Sequence, residues 1–457
     1  MAAEVYNNIL ELIGNTPIVK LNKVVKKKGA EVFAKLEYLN PGSSLKDRIA
    51  TYILDDAVES GKLKPGGTIV EATSGNTGAG LAIAAAVLGY NTIFVMPDKV
   101  SKEKIRLLKA LGAEVIITPT AVAPDSPESY YSVAKKITSD TPNAFLSNQY
   151  FNQANPKAHY ETTGPEIWEQ MGSELDVFVC GLGTGGTISG VGKYLKEKNP
   201  DIKIIGADPY GSILKTFKES EVLTQGTPYL VEGIGEDIIP GTLHLKYVDE
   251  IINVTDRDSF RMSRRLTREE GIFCGGSSGT IAHVAVNIAS KMKSGEKVLC
   301  IIPDTGERYL SKHHSDEWMR EKRLLGSELT TVRLIYETKP DKIPPLLSVS
   351  KDQYVKDALK LMNEYNVSQI PVIDDNDSIG CVRENKLLSK VLDDSDSVNL
   401  LIGEIMDKPL PVIDESSNIK SAAKTLKKSP AALVRDRGNI VGIITRFDIL
   451  EFTAHME

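Results

Sequence analysis

Cysteine is scarce in this chain: four residues in 457, Cys180, Cys274, Cys300 and Cys381, scattered singly through apolar stretches. With no CxxC pair and no framework spacing they read as reduced core side chains, which leaves no basis for a disulfide scaffold. The six histidines form no ligand pattern, so no metal site is expected. An excess of one charge is lacking too. The formal net charge is −6, from 55 basic and 61 acidic residues, which gives neither a nucleic-acid footprint nor a basic membrane face. No apolar run reaches the length of a membrane span, and the opening MAAEVYNNILELIGNTP lacks the basic, apolar and small-residue blocks of a signal peptide. The expectation is a cytoplasmic protein with no nucleic-acid and no membrane partner.

At 457 residues the chain is too long for a single core, so two or three domains are expected. Up to about residue 325, short β-branched runs alternate with helical patterns. GTIVEAT, NTIFVMP, AEVIITP, DVFVCGLG, KIIGADP and KVLCIIPD, each bounded by Gly, Pro or Asp, predict buried strands; GAGLAIAAAVLG and SKEKIRLLKALG predict helices. This alternation is an α/β fold with a mostly parallel sheet covered on both faces, in which ligands gather at the carboxyl ends of the strands. Then the pattern changes. GSELTTVRLIYETKPDKIPPLLSVS is polar and proline-bearing, as a linker is, and DALKLMNEYNVSQIPVIDDNDSIGCVRENKLL is echoed by SAAKTLKKSPAALVRDRGNIVGIITRFDIL. In each half a helix leads into two strands joined by an Asp/Asn/Gly turn, with Gly380 and Gly442 at matching points about 62 residues apart. The expected organisation is a main domain over 1–325, a linker over 326–342, and repeats over 343–398 and 399–457.

Three glycine-rich turns in the main domain carry chemistry. GLGTGGTISG, Gly181 to Gly190, follows a strand and opens a helix, so its N–H groups and the helix dipole form a phosphate seat. It also contains GxGxxG with Asp208 about 20 residues on, the dinucleotide pattern, although any phosphate at such a turn asks for the same glycines. EATSGNTGAG, Glu71 to Gly80, offers donors from Thr73, Ser74, Asn76 and Thr77 to an anion, or caps a helix. GIFCGGSSGT, Gly271 to Thr280, either brings Ser277 close to a ligand or makes a tight turn. A fourth stretch, SSLKDR, sets Lys46 near the start of a predicted helix.

In their order and spacing, SSLKDR, TSGNTG, GTGGT and GGSSG resemble the fold-type-II pyridoxal-phosphate enzymes, and NPKAHYETTGPEIWEQ and VEGIGEDIIP extend the resemblance over nearly all of 5–325. Within that group MPDKVSKEKI, DSPESYYSVA and SNQYFNQANPKAHY resemble the cystathionine beta-synthase family most closely, and the repeated module resembles the paired CBS domains named after it. The resemblance implies a catalytic domain of two open twisted sheets covered by helices, followed by a tandem CBS module. It implies that Lys46 binds pyridoxal 5'-phosphate as a Schiff base and, once freed, acts as general base at the substrate Cα. Gly183, Thr184, Gly185, Gly186 and Thr187 would hold the cofactor phosphate, Asn76 its ring 3-oxygen, and Ser277 would face the pyridine nitrogen. A serine there leaves that nitrogen unprotonated, which disfavours transamination and couples loss of the α-proton to departure of a β-substituent. The implied reaction is β-replacement of L-serine with L-homocysteine through an aminoacrylate, giving L-cystathionine and water. Thr73, Ser74, Asn76, Thr77 and Gln149 would surround the substrate carboxylate. In the C-terminal module Val367, Gln369, Thr445 and Asp448 are the implied contacts of a regulatory ligand, S-adenosylmethionine or an adenine nucleotide. GCVRENK has no aspartate at the point matching Asp448, so only one of the two clefts is expected to be complete.

Some features depart from the family's animal members. No cysteine–histidine segment precedes Ile9, so no haem is expected and a bacterial-like form is implied. In GIGEDIIP, Glu236 stands where animal enzymes usually carry tyrosine; it either protonates a departing hydroxide, which makes it catalytic, or faces solvent on a loop. O-acetylserine as first substrate, a cysteine synthase or hydrogen-sulfide-producing activity, and a ligand sensor with a relic first domain stay open as alternatives. Intact Lys46, Asn76, Gly183 to Thr187 and Ser277 speak against the relic. Small-molecule substrates and a homodimer or higher homo-oligomer are the expected partners.

Overall fold

The structure, a computed structural model, describes residues 5–454 except 27, 74, 99, 120, 121, 123–125, 326–330, 338–343, 345 and 437. The chain divides into two compact units, Met1–Met319 and Arg320–Glu457. All six runs expected as strands are strands of the first unit. Four shorter or more polar strands join them in two sheets whose order is set by parallel crossovers. One sheet runs Ile18–Lys20, Glu31–Leu36, Lys297–Ile302, Val177–Gly181, Lys203–Pro209, Glu250–Val254; its first pair is antiparallel and the rest are parallel. The other runs Glu114–Thr118, Asn91–Pro97, Thr68–Ala72, Ala144–Leu146, all parallel. Helices cover these sheets because the strands are apolar on both faces: Val177, Phe178, Val179 and Cys180 are all buried, as are Val298 to Ile302. Parallel order also aligns the strand ends, so the turns after Val177–Gly181 and Lys297–Ile302 open on the same edge. Among the described residues no helix is long and apolar enough to cross a membrane.

The second unit holds the repeat. Its hairpins Gln369–Asp374/Asp377–Arg383 and Ala431–Asp436/Asn439–Thr445 carry the same irregularity at the same place, a register shift after Val372 in one and after Val434 in the other. Gly380 pairs with Val372, and Gly442 with Val434. The two hairpins share a small core of Cys381, Leu410, Ala431, Leu433 and Ile440. The stretch expected as a linker over 326–342 is corrected in part. Residues 326–330 and 338–342 lie outside the described residues, but Val332–Glu337 is a helix. Val332 N–H donates to Ser417 O at 2.8 Å, and Val332 and Ile335 are buried with Ile413, Ile419 and Leu426 of the second repeat. Two apolar side chains a helical turn apart were enough to complete that core, so chain ahead of the first repeat belongs to the second.

Candidate active site

The site forms where strand Lys297–Ile302 ends. Leu45 N–H donates to Pro303 O (2.9 Å), Thr305 N–H to Ser43 O (3.3 Å) and Gly275 N–H to Asp304 O (3.2 Å), which laces the SSLKDR and GGSSG turns to the strand end. Ser43 turns the chain with φ +55°, and Ser44 Oγ accepts from Lys46 N–H at 3.3 Å, so helix Lys46–Glu59 starts at the lysine itself. Lys46 is half-buried. Burial lowers the proton affinity of its amine, against the opposing pull of Asp304, Cys180 and Glu236 and with help from Lys104. That is the direction an amine needs if it is to attack carbon. Ser277, buried, lies in the first turn of helix Gly276–Ala289, where backbone N–H groups have no partner within the helix.

Sequence reasoning missed Asp304. Its Oδ2 accepts from Asn76 Nδ2 at 2.8 Å and from the Tyr309 hydroxyl at 2.6 Å, while its buried Oδ1 has no hydrogen-bond partner. Asn76 Oδ1 in turn accepts from Arg308. Both ends of the Asn76 amide are therefore engaged by protein groups, and a ring oxygen would have to displace or share one of them. The signal was present: a carboxylate two residues past a buried parallel strand sits where ligands bind.

The GTGGT loop reverses at Gly185, φ +81°, into helix Gly186–Lys198. Its support comes from behind. Asn155 Nδ2 donates to Thr184 Oγ1 (3.0 Å) and to Gln149 O (2.9 Å), the Thr242 hydroxyl donates to Thr184 O (2.6 Å), and Thr187 Oγ1 lies 3.1 Å from His159 Nε2. A Cβ on Gly186 would lie 1.9 Å from Asn155 Oδ1, so that glycine lets the supporting amide reach the loop. Burial lowers His159 to about 3, so its imidazole is neutral and adds no charge beside the seat. On the other sheet Thr73 Oγ1 accepts from Gly75 and Gly78 N–H (3.1 and 3.3 Å), and the Thr77 hydroxyl donates to Gln149 Oε1 (2.6 Å). Gln149 thus joins the TSGNT turn to the GTGGT loop through Asn155. Ser74 lies outside the described residues.

Glu236 does not face solvent, and that reading is corrected. Its carboxyl is buried, and burial pushes it up to about 8, with Asp237 and Asp208 adding to the rise and a Tyr150 hydrogen bond and Lys46 opposing it. At neutral pH it is a carboxylic acid beside the lysine. Tyr130, Tyr131 and Tyr150 close the space around it, with ring centroids 4.0 and 5.9 Å apart. Asp208, offered by the dinucleotide pattern, is wholly buried in strand Lys203–Pro209. The four cysteines are buried and free, and burial raises Cys180, Cys274 and Cys300 to about 12, which makes them poor nucleophiles.

In the second unit Thr445 and Asp448 come together: Asp448 Oδ2 accepts from the Thr445 N–H (2.5 Å) and hydroxyl (2.8 Å). The matching positions of the first repeat hold Arg383 and Lys386, both paired with Asp407. Val367 is half-buried just ahead of the first hairpin, and Gln369 is half-buried at its first position.

These residues fit pyridoxal phosphate: an amine made less basic by burial, a phosphate seat at a helix start, and a buried hydroxyl at a second helix start. Residues 9–304 match the family model described as pyridoxal-phosphate dependent enzyme, and residues 342–393 and 402–455 each match the CBS domain. A cystathionine beta-synthase of Dictyostelium discoideum is 37% identical over 98% of this chain and 92% of its own. A cysteine synthase of Staphylococcus aureus is 44% identical over 68% of this chain and 97% of its own. The crystal structure of an O-acetylserine dependent cystathionine beta-synthase from Helicobacter pylori, 37% identical, covers 68% of this chain and 99% of its own with a TM-score of 0.63. The catalytic unit with its motifs, and the paired CBS domains that only the full-length relatives span, place the chain in the cystathionine beta-synthase family of pyridoxal-phosphate dependent enzymes.

Proposed function

We propose that the chain condenses L-serine with L-homocysteine to give L-cystathionine and water, and that Glu236 supplies the proton on which loss of the serine hydroxyl depends. The full-length match to cystathionine beta-synthases carries the first half of this reading, and the buried, protonated Glu236 carries the second. Bound pyridoxal phosphate supplies the electron-withdrawing ring that acidifies the substrate α-hydrogen. Gly183 to Thr187 hold its phosphate and Ser277 meets its pyridine nitrogen. Thr73, Thr77 and Gln149, with Ser74, bind the substrate carboxylate. Lys46 takes the α-proton. Glu236 gives a proton to the β-oxygen, which leaves as water; the homocysteine thiol gives its proton back to Glu236 as its sulfur bonds to the β-carbon, and Lys46 returns the proton to the α-carbon.

Acetate leaves without a proton and hydroxide does not. Glu236→Gln is therefore expected to slow serine turnover about a hundredfold while O-acetylserine turnover falls only a few-fold. The same logic fixes a pH dependence. Glu236 ionises as pH rises through about 8, so the serine rate falls relative to the O-acetylserine rate above that point and the ratio is flat below it. Equal losses on both substrates in Glu236→Gln would overturn the proton-donor assignment.

The C-terminal module is read as a sensor of an adenosyl ligand, S-adenosylmethionine or an adenine nucleotide, bound at the second repeat. The support is the asymmetry of the repeats: a hydroxyl–carboxylate pair at Thr445 and Asp448, against a cationic pair closed on Asp407 in the first. Calorimetry with S-adenosylmethionine, ATP and AMP should give heat for one of them with the full chain and at least tenfold weaker binding with Asp448→Ala. No heat with any of the three defeats the reading. A haem-free, cytoplasmic homodimer or larger homo-oligomer acting on small molecules completes the proposal.

A further inference from the structure

Between helix Leu214–Ser220 and the turn Leu245–Tyr247, no helix or strand is formed, yet this segment carries Glu236. Side chains must hold it. Asp256 accepts from the N–H groups of Leu230 and Val231 (2.9 and 3.0 Å), Gly235 N–H reaches Leu182 O (2.6 Å), and Glu236 N–H reaches Ser212 Oγ (3.1 Å). All of these anchors lie on the six-stranded side of the unit. Others reach the four-stranded side: Thr242 N–H donates to Tyr150 O (3.2 Å), and Glu232 pairs with Lys104, from helix Lys102–Ala110 beside the four-stranded sheet, at 2.7 Å, and with Lys312 at 3.2 Å.

Lys104 is 2% exposed, and its ammonium lies 4.6 Å from the Tyr309 ring centroid, whose hydroxyl bonds Asp304. Its stem also touches the substrate turn. A Cβ on Gly75, φ +129°, would lie 2.8 Å from Lys104 Cδ, so the lysine packs on the backbone between Thr73 and Asn76. We propose that Lys104 is a positioning residue: its ion pair with Glu232 fixes the segment bearing Glu236 against the TSGNT turn that binds substrate. Glu232 keeps its negative charge there, since Lys104 and Lys312 outweigh the effect of burial and hold its carboxyl below the usual range. A buried pair tying two sheets at a reaction centre specifies geometry, because losing one partner leaves the other charge in a dry site.

This inference rests on Glu236 as proton donor, and the substrate ratio separates the two ideas. Lys104→Met keeps the stem on Gly75 and removes the charge; Glu232→Gln removes the other charge. The measurement is kcat/KM for serine divided by that for O-acetylserine, each with homocysteine, on the cofactor-loaded full chain. Each variant should lower this ratio about fivefold, in the same direction as Glu236→Gln, and Lys104→Met added to Glu236→Gln should lower it no further. Should Lys104→Met not fold, Glu232→Gln carries the same test. A merely structural pair slows both substrates equally. If Glu236→Gln moves the ratio and neither charge variant does, the positioning role is overturned alone; if Glu236→Gln leaves the ratio unmoved, the proton-donor reading falls and this inference with it.

Discussion

Lys46→Ala should bind no cofactor covalently, lose the visible absorbance of the lysine-bound form, and turn over serine and homocysteine at least about a thousandfold more slowly. The fold should survive. Among the described residues the amine makes no hydrogen bond or ion pair, so its removal orphans no buried partner, and helix Lys46–Glu59 keeps its start through Ser44 Oγ. Burial favours its neutral form, which is the form that attacks, and alanine in that place relieves a desolvation cost. Lys46→Arg is the sharper control. A guanidinium keeps length and charge but stays protonated and cannot form the linkage. Both variants should show the native far-UV circular dichroism spectrum; normal turnover in either would remove Lys46 from the mechanism.

Why Lys46 was legible and Glu236 was not is a matter of distance along the chain. The Lys46, Gly183–Thr187 and Ser277 turns each place glycines and hydroxyls within one local reversal, so the spacing survives in the sequence. Glu236 takes its character from side chains far from it in the chain: Tyr150 bonds it, and Tyr130 and Tyr131 sit near enough to feel its charge. No local pattern encodes that burial. Strands divide the same way. Five of the six apolar runs are interior strands buried along most of their length and read as such; the sixth, Glu114–Thr118, is an edge strand with Ile117 exposed and was legible only through its run of β-branched residues, whereas the edge strands Ile18–Lys20, Ala144–Leu146 and Glu250–Val254 have shorter or more polar sequences. Glu31–Leu36 is interior, but its run is interrupted by Lys35, which is fully buried in an ion pair. The Val332–Glu337 helix looked like linker because its amphipathic face is only two residues deep.

Arg48→Met should cost about 3–5 kcal/mol of stability, the toll of leaving a buried carboxylate without its counter-charge. Arg48 is 1% exposed and holds two carboxylates at once. Its Nε and Nη2 donate to Glu37 (2.7 and 2.9 Å), and its Nη1 and Nη2 to Glu166 (2.6 and 2.7 Å). Lys35 completes the network, 3.0 Å from Glu166, so the two positive and two negative groups balance. Methionine fills the space of the stem and keeps none of these bonds. Burial pushes the Glu37 carboxyl up, but the Arg48 guanidinium, with Lys35 and Thr16, overcomes it and holds Glu37 at about 2, below its usual 4.5. A depressed carboxyl contributes stability that is present above the unfolded value and lost as pH falls through the folded one, here between about 4.5 and 2. That contribution is on the order of 3 kcal/mol. Urea midpoints at pH 7 should therefore drop sharply in Arg48→Met, and the wild-type chain should lose stability below pH 4.5 more steeply than the variant, whose Glu37 no longer has a guanidinium to hold it ionised. A midpoint within error of wild type at pH 7 would show that Glu37 and Glu166 are satisfied by Lys35, Thr16 and Asn40 alone. Because Arg48 lies within one turn of Lys46 on the same helix, the loss should also appear as weaker cofactor binding, measured by dialysis of the loaded enzyme.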